Sequence, residues 1–392
     1  MESLFGCFRG AQVPIKRRWS RLNLFFLVGT LGLALVLVPV EFGHSLRHWS
    51  EWVVFLAMLA AIGMSVTCGY HRLFSHRAYQ ARGPVRLLML CLGAASFENS
   101  ALQWASDHRI HHRQVDQAGD PYNSRKGFWY AHWIWVMEER TQAIVGVADL
   151  EKDPLVRWQH RHPFLIGACV TLSLPLLVGI LTHNLPGNLV IGVLLRIVVT
   201  HHTTFFINSA AHFFGTQPYT DANSARDNAF LAPFTYGEGF HNYHHMWQWD
   251  YRNGVKWYQW DPAKWVIKAM SWLGLASGLR TVPDPVIRRA RIQMEEKRML
   301  ARLAQASPLA AEGLNSRVVS ARHRLDLALL GLQEHRETWD RRKSEWKAHQ
   351  KEVWRQRKAE WQSARVQRRR EFHLAWLDWK AARVAVRRAA FV

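Results

Sequence analysis

The sequence predicts an all-α integral membrane protein: four transmembrane helices in two hairpins, a cytoplasmic helical cap rich in histidine, and a long basic helical extension. Three observations support this fold class. Four apolar stretches have membrane-spanning length, dense histidine clusters flank them, and the C-terminal region is strongly basic.

The first hairpin follows a short basic segment, residues 1–21. Residues 22–40 and 52–69 are each close to the roughly 20 apolar residues that cross a hydrocarbon core. A polar turn at residues 41–51 joins them. We therefore predict two spans here, with the basic N-terminus cytoplasmic because positive charges favour that side.

Residues 163–182 and 186–207 form the second predicted hairpin. The apolar stretch at 84–97 is too short for a span and is typical of an interfacial or re-entrant segment. Four spans then return residues 70–162 and 208–392 to the cytoplasmic side. Every dense histidine cluster falls on that one face.

Nine histidines occur in four tightly spaced clusters. They are His71, His76, His108, His111, His112, His212, His241, His244 and His245. A lone histidine is more often an ordinary surface residue, but nine in this pattern favour a metal site. Helix positions i, i+3 and i+4 share a face, so each HxxHH motif is predicted to aim three imidazoles at one point.

Imidazole suits zinc, copper, iron and nickel, whereas the four scattered cysteines argue against zinc-finger and iron–sulfur sites. Nine nitrogens exceed the ligands that one ion takes, which implies a pair of metals. The acidic residues predicted to orient the rings are Asp107, Asp120, Asp227 and Glu238, together with backbone carbonyls. The alternative is that these carboxylates form ordinary ion pairs or helix caps.

The motifs HRLFSH, DHRIHH, DPYNSRKGF, NSAAH and GEGFHNYHH stand in this order around the two hairpins. They closely resemble the membrane fatty-acyl desaturases of the stearoyl-CoA Δ9 type, particularly bacterial members, over about residues 20–282. The resemblance implies a non-haem di-iron centre that uses O2 and two electrons to form a cis double bond, near Δ9, in a saturated acyl chain.

Residue by residue, the nine histidines match the family's iron ligands, and Asn208 matches a residue that reaches iron through water. Trp104 and Thr204 match positions at the bend of the family's substrate tunnel. Glu98 stands where the animal enzymes have glutamine and Phe205 where they have tryptophan, so double-bond position is not carried over.

The head-group region also departs from the animal acyl-CoA enzymes. Glu139 and Arg140 stand where those enzymes carry basic residues, and Ser106 replaces an arginine, although Asp107 is retained as a substrate-binding candidate. Losing cations where CoA phosphates bind weakens the assignment of an acyl-CoA substrate. Lipid-bound acyl chains and acyl carrier protein therefore stay open.

The sequence contains no haem-binding, GxGxxG or four-cysteine ferredoxin motif, so an external electron donor such as ferredoxin or cytochrome b5 is implied. The basic residues predicted to dock it are Arg72, Arg77, Arg109, Arg113, Arg125 and Lys126. The alternative is the ordinary positive-inside excess.

Residues 283–392 form the predicted extension, and residues 285–392 carry 26 Lys and Arg against 12 Asp and Glu. From Leu332 onward there is neither Pro nor Gly, a composition that predicts one long helix. Trp339, Trp346, Trp354 and Trp361 recur at 7, 8 and 7 residues along it. This stripe favours self-association as a coiled coil over binding to an anionic membrane surface, and both over nucleic-acid binding.

The sequence thus predicts a fatty-acyl desaturase of the bacterial inner membrane, with the histidine site and both termini cytoplasmic. A hydroxylase on the same di-iron scaffold is the main alternative. A non-catalytic membrane scaffold that acts through its basic C-terminal helix is the third hypothesis.

Overall fold

The computed structural model describes residues 18–45, 49–139, 143–305, 308–346 and 351–389. In chain order, the α-helices are α1 (Arg21–Ser45), α2 (Trp49–Ser65), α3 (Gly83–Ala94), α4 (Ala101–Gln114), α5 (Trp135–Met137), α6 (Ala148–Glu151), α7 (Pro154–Arg161), α8 (Pro163–Leu181), α9 (Leu185–Gly187), α10 (Arg196–Asn208), α11 (Ala210–Phe213), α12 (His241–Met246), α13 (Pro262–Trp272), α14 (Asp284–Leu303), α15 (Pro308–Trp346) and α16 (Lys351–Ala389).

Other regular structure is short. The π-helical segments are Val66–Ser75, Tyr130–Ile134 and Asn188–Leu195, and the 3-10 turns are Ser124–Lys126 and Pro233–Thr235. Strand β1 (Arg18–Trp19) pairs antiparallel with β3 (Glu138–Glu139), and β2 (Gln80–Ala81) pairs antiparallel with β4 (Ala276–Ser277).

The chain divides into two compact units. The membrane unit comprises residues 1–215 and 223–280, and the C-terminal unit comprises residues 216–222 and 281–392. The predicted boundary, after residue 282, lies two residues from this division. The predicted cytoplasmic N-terminus falls largely at residues 1–17, outside the described part of the chain.

Four continuous helical stretches of the membrane unit are long and apolar enough to cross a membrane: Arg21–His44, Trp49–Ser75, Pro163–Leu181 and Leu185–Phe213. They confirm the four predicted spans. Helix α3 has 12 residues, so at about 1.5 Å per residue it is about 18 Å long. That is shorter than a hydrocarbon core of about 30 Å, as its sequence predicted.

A buried core holds the end of the second span against the cap. Tyr70 on the π-helical segment, Leu90 on α3, Ala105 on α4 and Ile267 on α13 are fully buried in one cluster. Because the first three of these elements are adjacent in this core, α4 is held beside the π-helical end of the span. Both carry histidines of the predicted site.

Arg196, in the fourth span, is a buried charge within an apolar helix. Its guanidinium donates to the Ala95 carbonyl just past α3 (2.8 Å) and to the Thr171 hydroxyl of α8 (2.9 Å). A cation at the C-terminal end of α3 also complements the helix dipole. Arg196 thereby ties the third and fourth spans to the C-terminal end of α3.

The C-terminal unit is a bundle of α14, α15 and α16. Helices α15 and α16 run antiparallel, since Arg324 pairs with Asp378 (3.3 Å) while Trp339 stacks on Trp361 with 4.2 Å between ring centroids. Helix α14 packs against both, and its Ile292 joins their buried residues in one core.

The prediction of one long helix from Leu332 is wrong, because α15 ends at Trp346 and α16 begins at Lys351. The tryptophan stripe is partly buried by pairing within the same chain, as Trp339 and Trp361 show. Helical periodicity identifies a face that needs burial, but it does not say which helix covers that face. The side chain of Trp346 lies outside the described residues, and self-association stays a prediction.

Replacing Trp379 by alanine tests the bundle core. Trp379 is fully buried, and its indole N–H donates to Glu295 Oε2 of α14 (3.0 Å). Removing a buried tryptophan costs about 3–5 kcal/mol, so Trp379→Ala should expose α16 to rapid amide hydrogen exchange. Leu374→Ala, an exposed position on the same helix, is the control and should leave exchange unchanged. Equal exchange in both variants would contradict the observed packing.

Candidate metal centre

The nine predicted histidines converge in two groups within the membrane unit. In each group one ligand atom per residue lies within 4.8 Å of all the others. The five-histidine group is His71, His76, His108, His112 and His244, and the four-histidine group is His111, His212, His241 and His245.

Helix α4 and helix α12 each contribute to both groups. On α4 the i,i+4 pair His108 and His112 lies in the five-histidine group, while His111 points to the other. On α12 the i,i+4 pair His241 and His245 lies in the four-histidine group, while His244 joins the five-histidine group. The prediction that each HxxHH motif aims at one point is therefore wrong. Adjacent helical positions are about 100° apart, which separates the i+3 ring from the i+4 ring.

The Nε2 atoms within each group lie at distances typical of ligands on one metal ion. In the five-histidine group, Nε2 of His76 lies 2.8 Å from that of His108, and Nε2 of His71 lies 2.9 Å from that of His244. In the other group, His212 and His241 are 3.1 Å apart. Two nitrogens about 2.1 Å from one metal and at right angles lie about 3.0 Å apart, so the spacing fits a shared ion.

Partners at Nδ1 hold several of these rings with Nε2 pointing inward. Glu238 Oε1 lies 3.1 Å from Nδ1 of His71, and Asp120 Oδ1 lies 2.9 Å from Nδ1 of His111. A ring that donates its Nδ1 proton to a carboxylate keeps a lone pair on Nε2. Converging lone pairs repel one another unless a cation lies between them, so this donor set fits metal ions.

The other two predicted orienting carboxylates contact ligand-bearing helices. Asp227 accepts the backbone N–H of Tyr243 (3.1 Å) and so fixes the backbone of α12. Asp107 lies on α4 and accepts from the side-chain amide of Gln103 (3.2 Å), one turn earlier. Their role in orienting the rings stays a prediction.

Two orienting residues had no signal in the sequence. The Tyr122 hydroxyl lies 3.0 Å from Nδ1 of His108, and the Ser224 hydroxyl lies 2.7 Å from Nδ1 of His212. Ser224 is in turn held by Asp116, which accepts its hydroxyl at 2.5 Å and its backbone N–H at 2.6 Å. Asp116 and Ser224 are 108 residues apart, so only the fold brings them together.

Burial and charge set the ionisation of the site. Burial, followed by the charges of neighbouring rings, lowers the pKa of His76, His108, His112, His241, His244 and His245 well below the usual value. Burial acts to raise the pKa of Glu238, but His71 and Arg72 outweigh it and hold that pKa well below its ordinary range. These six rings are therefore neutral, as metal binding requires, and lie beside an ionised carboxylate.

Three of the predicted substrate-binding residues lie together. The Trp104 indole donates to Glu98 Oε2 (3.1 Å), and Thr204 also hydrogen-bonds Glu98. Trp104 stacks on His108 with 4.7 Å between ring centroids. Burial raises the pKa of Glu98 to about 7 against the effect of both hydrogen bonds. Asn208 is the last residue of α10, half-buried and four residues before His212.

The predicted docking cations divide into two kinds. Arg72 is buried and pairs with Glu238 (3.0 Å) and Asp261 (2.9 Å), so its assignment to an exposed docking face is wrong. Its charge is needed inside, because two buried carboxylates flank it. Arg109 pairs with Asp149 at 2.7 Å. Arg77, Arg113, Arg125 and Lys126 are exposed.

The head-group residues have ordinary surroundings. The Ser106 hydroxyl donates to the Val145 carbonyl (3.0 Å), which anchors α4 to the following loop. Glu139 is exposed in β3, and Phe205 is buried against Leu27 of the first span. Arg140 lies outside the described residues.

Comparisons with known proteins agree with this geometry. A family model described as "Fatty acid desaturase" matches residues 48–273. The "Probable acyl-CoA desaturase" of Schizosaccharomyces pombe is 40% identical over 284 residues, which are 71% of this chain and 59% of that protein. "Acyl-CoA desaturase 1" of Saccharomyces cerevisiae is 41% identical over 256 residues, which are 64% of this chain and 50% of the yeast protein. The chain thus spans between half and three fifths of these two relatives.

An animal relative is covered more fully. "Stearoyl-CoA desaturase 5" of Homo sapiens is 36% identical over 250 residues, which are 61% of this chain and 75% of the human protein. The family match covers α2 to α13, the elements that carry all nine histidines. The C-terminal unit lies almost entirely beyond it.

Replacing Ser224 by alanine should weaken metal binding in the four-histidine group alone, because only the His212 ring loses its Nδ1 partner. Loss of such an outer partner typically costs about 10–100-fold in metal affinity. Metal content is measured after dialysis against increasing concentrations of chelator. One population of bound metal should be lost at low chelator concentration and the other should be retained.

Ser173→Ala is the control, since Ser173 is exposed on α8 and its hydroxyl donates to the Val170 carbonyl (2.9 Å). Release curves that coincide for Ser224→Ala and Ser173→Ala would contradict this role of Ser224.

Proposed function

The chain belongs to the fatty acid desaturase family, and we propose from this premise that it introduces a cis double bond, near Δ9, into a saturated acyl chain. The reaction consumes O2 and two electrons from an external donor. The observation that carries the proposal is the convergence of nine histidines in two groups at the ends of membrane spans. Such a site can act on an acyl chain that never leaves the bilayer region.

We propose two iron ions as the metals. Imidazole is a suitable ligand for iron, and the groups offer five and four histidines respectively. Asn208 is proposed to complete the smaller group through a water molecule, since it ends α10 just before the turn that carries His212. Bound iron would activate O2, and O2 is the oxidant that accepts the two hydrogens of the acyl chain and the two supplied electrons as it is reduced to water.

The chain's own residues hold the substrate and exclude water. Trp104 lies flat against His108, and the Glu98 carboxyl fixes its indole through the N–H. We propose that Glu98, Trp104 and Thr204 line the bend of the acyl chain beside the metals, with Asp107 further along α4 toward the head group. A fixed bend determines which carbons lie close to the metals, and only carbons held close and correctly oriented can react.

The names of the relatives favour acyl-CoA as the carrier, although the loss of head-group cations at Ser106 and Glu139 keeps lipid-bound and carrier-protein substrates open. We propose ferredoxin or cytochrome b5 as donor classes.

The four spans make the chain an integral membrane protein. Residence in a bacterial inner membrane, with the site and both termini cytoplasmic, is proposed from the charge distribution.

Fatty-acid analysis of a desaturase-deficient host tests the activity. Expression of the chain should yield new monounsaturated acids, and these should vanish in the His244→Ala, His245→Ala double variant, because one ligand is lost from each group. His323→Ala, an exposed histidine of the C-terminal unit, is the control and should keep the products. Gas chromatography with mass spectrometry locates the double bond. Hydroxylated acids instead would transfer the assignment to a hydroxylase.

Truncation after residue 284 tests the proposed division into a catalytic membrane unit and an accessory extension. All nine histidines precede this point, so the shortened chain should keep its metal and its products. Metal analysis and the same lipid profile provide the measurements. Loss of both from a chain that remains folded would overturn the division and favour a scaffold whose C-terminal unit carries the function.

A further inference from the structure

Two aromatic side chains connect both histidine groups with the periphery of the cap. Tyr122 is 5% exposed, and its ring packs on that of Trp135 with 4.9 Å between centroids. Trp135 begins α5 and is half-buried. Tyr122 has so far been described only as a partner of the His108 ring, and Trp135 has no role in the proposed chemistry.

Tyr122 contacts one ligand of each group. Its hydroxyl lies 3.0 Å from Nδ1 of His108, a member of the five-histidine group. Its ring lies 4.3 Å from that of His111, a member of the four-histidine group, at an angle of 32°. A single side chain is therefore in contact with one candidate ligand of each metal position.

We propose that Trp135 and Tyr122 form the path along which electrons from an acidic one-electron carrier protein reach both metal ions. The proposal rests on the proposed function, which needs two electrons from an external donor. Aromatic rings in contact couple electronically far better than saturated side chains across a gap. One path that ends on both groups serves both metals.

The redox balance is simple. Two carrier molecules are each oxidised by one electron, and each metal ion is reduced by one electron. No covalent bond forms or breaks in this step, and Tyr122 and Trp135 return to their starting states. The hydroxyl of Tyr122 keeps its proton, because the electrons only pass through.

Charge near the path favours an acidic carrier. The 3-10 turn Ser124–Lys126 follows Tyr122 directly and presents two exposed cations. The Arg125 side chain is 69% exposed, with Asp116 at 3.8 Å, and Lys126 Nζ lies 4.5 Å from the Tyr130 ring centroid. Exposed cations beside a path accelerate association with a negatively charged partner.

The test uses the full-length, iron-loaded chain and reduced [2Fe–2S] ferredoxin in an anaerobic stopped-flow experiment without acyl substrate. Tyr122→Leu and Trp135→Leu should each slow ferredoxin oxidation by about tenfold or more. Tyr122→Phe keeps the ring contacts and should therefore slow ferredoxin oxidation less than Tyr122→Leu does. Trp129→Leu removes an indole that is 64% exposed on the neighbouring segment and should leave the rate unchanged.

Reduction by dithionite separates a path from a structural effect. Trp135→Leu leaves the Tyr122 hydroxyl on His108, so this variant should bind as much iron as the wild type and should be reduced by dithionite at the same rate. Tyr122→Leu and Tyr122→Phe both lose this hydroxyl, so their rates are compared with the wild type at equal iron content. Calorimetric titration with oxidised ferredoxin at low salt should show weaker binding by Arg125→Glu, Lys126→Glu, and unchanged binding by Tyr122→Leu.

Several outcomes overturn the proposal. Ferredoxin oxidation within about twofold of the wild type in both leucine variants would exclude this path. Equal slowing of Trp135→Leu with dithionite, or loss of its iron, would make this aromatic pair a structural support only. A wild-type chain that dithionite reduces but ferredoxin does not would exclude the acidic carrier. Monounsaturated products in the host support the proposed function in each of these cases, whereas their absence contradicts that function instead.

Discussion

The structure depends on one constraint: nine imidazoles must converge at two neighbouring positions. Burial favours the uncharged form of buried rings such as His108 and His241, since it lowers their pKa. Lone pairs that converge without a cation repel one another. The rings are therefore held in place by the rest of the protein.

Different groups hold different rings. Glu238 holds His71 and is itself paired with Arg72, which also binds Asp261. Asn253 and Thr67 donate further hydrogen bonds to Glu238, so its carboxylate is surrounded by donors. A buried charge network of this kind is costly unless every member is paired. Its completeness explains how an ionised carboxylate persists at the end of a membrane span.

The spans position the site by ending in irregular helix. The second span passes into the π-helical segment Val66–Ser75, which carries His71, and the fourth passes through α10 into α11, which carries His212. π-helical turns frequently occur at functional sites because they re-aim side chains within a continuous helix. Arg196 of the fourth span fixes the third span and the end of α3 to its own helix.

The sequence by itself determined the four spans, because a span requires only a continuous apolar run that matches the thickness of the hydrocarbon core. It also determined the nine histidines and the family motifs, since these are defined by residue type and spacing along the chain. The tertiary structure decided how α4 and α12 divide their rings, which carboxylates reach them, and that Ser224 and Tyr122 support the ligands. It also decided that the C-terminal helices fold back on each other. These features depend on contacts between distant residues, whose pairing no local pattern specifies.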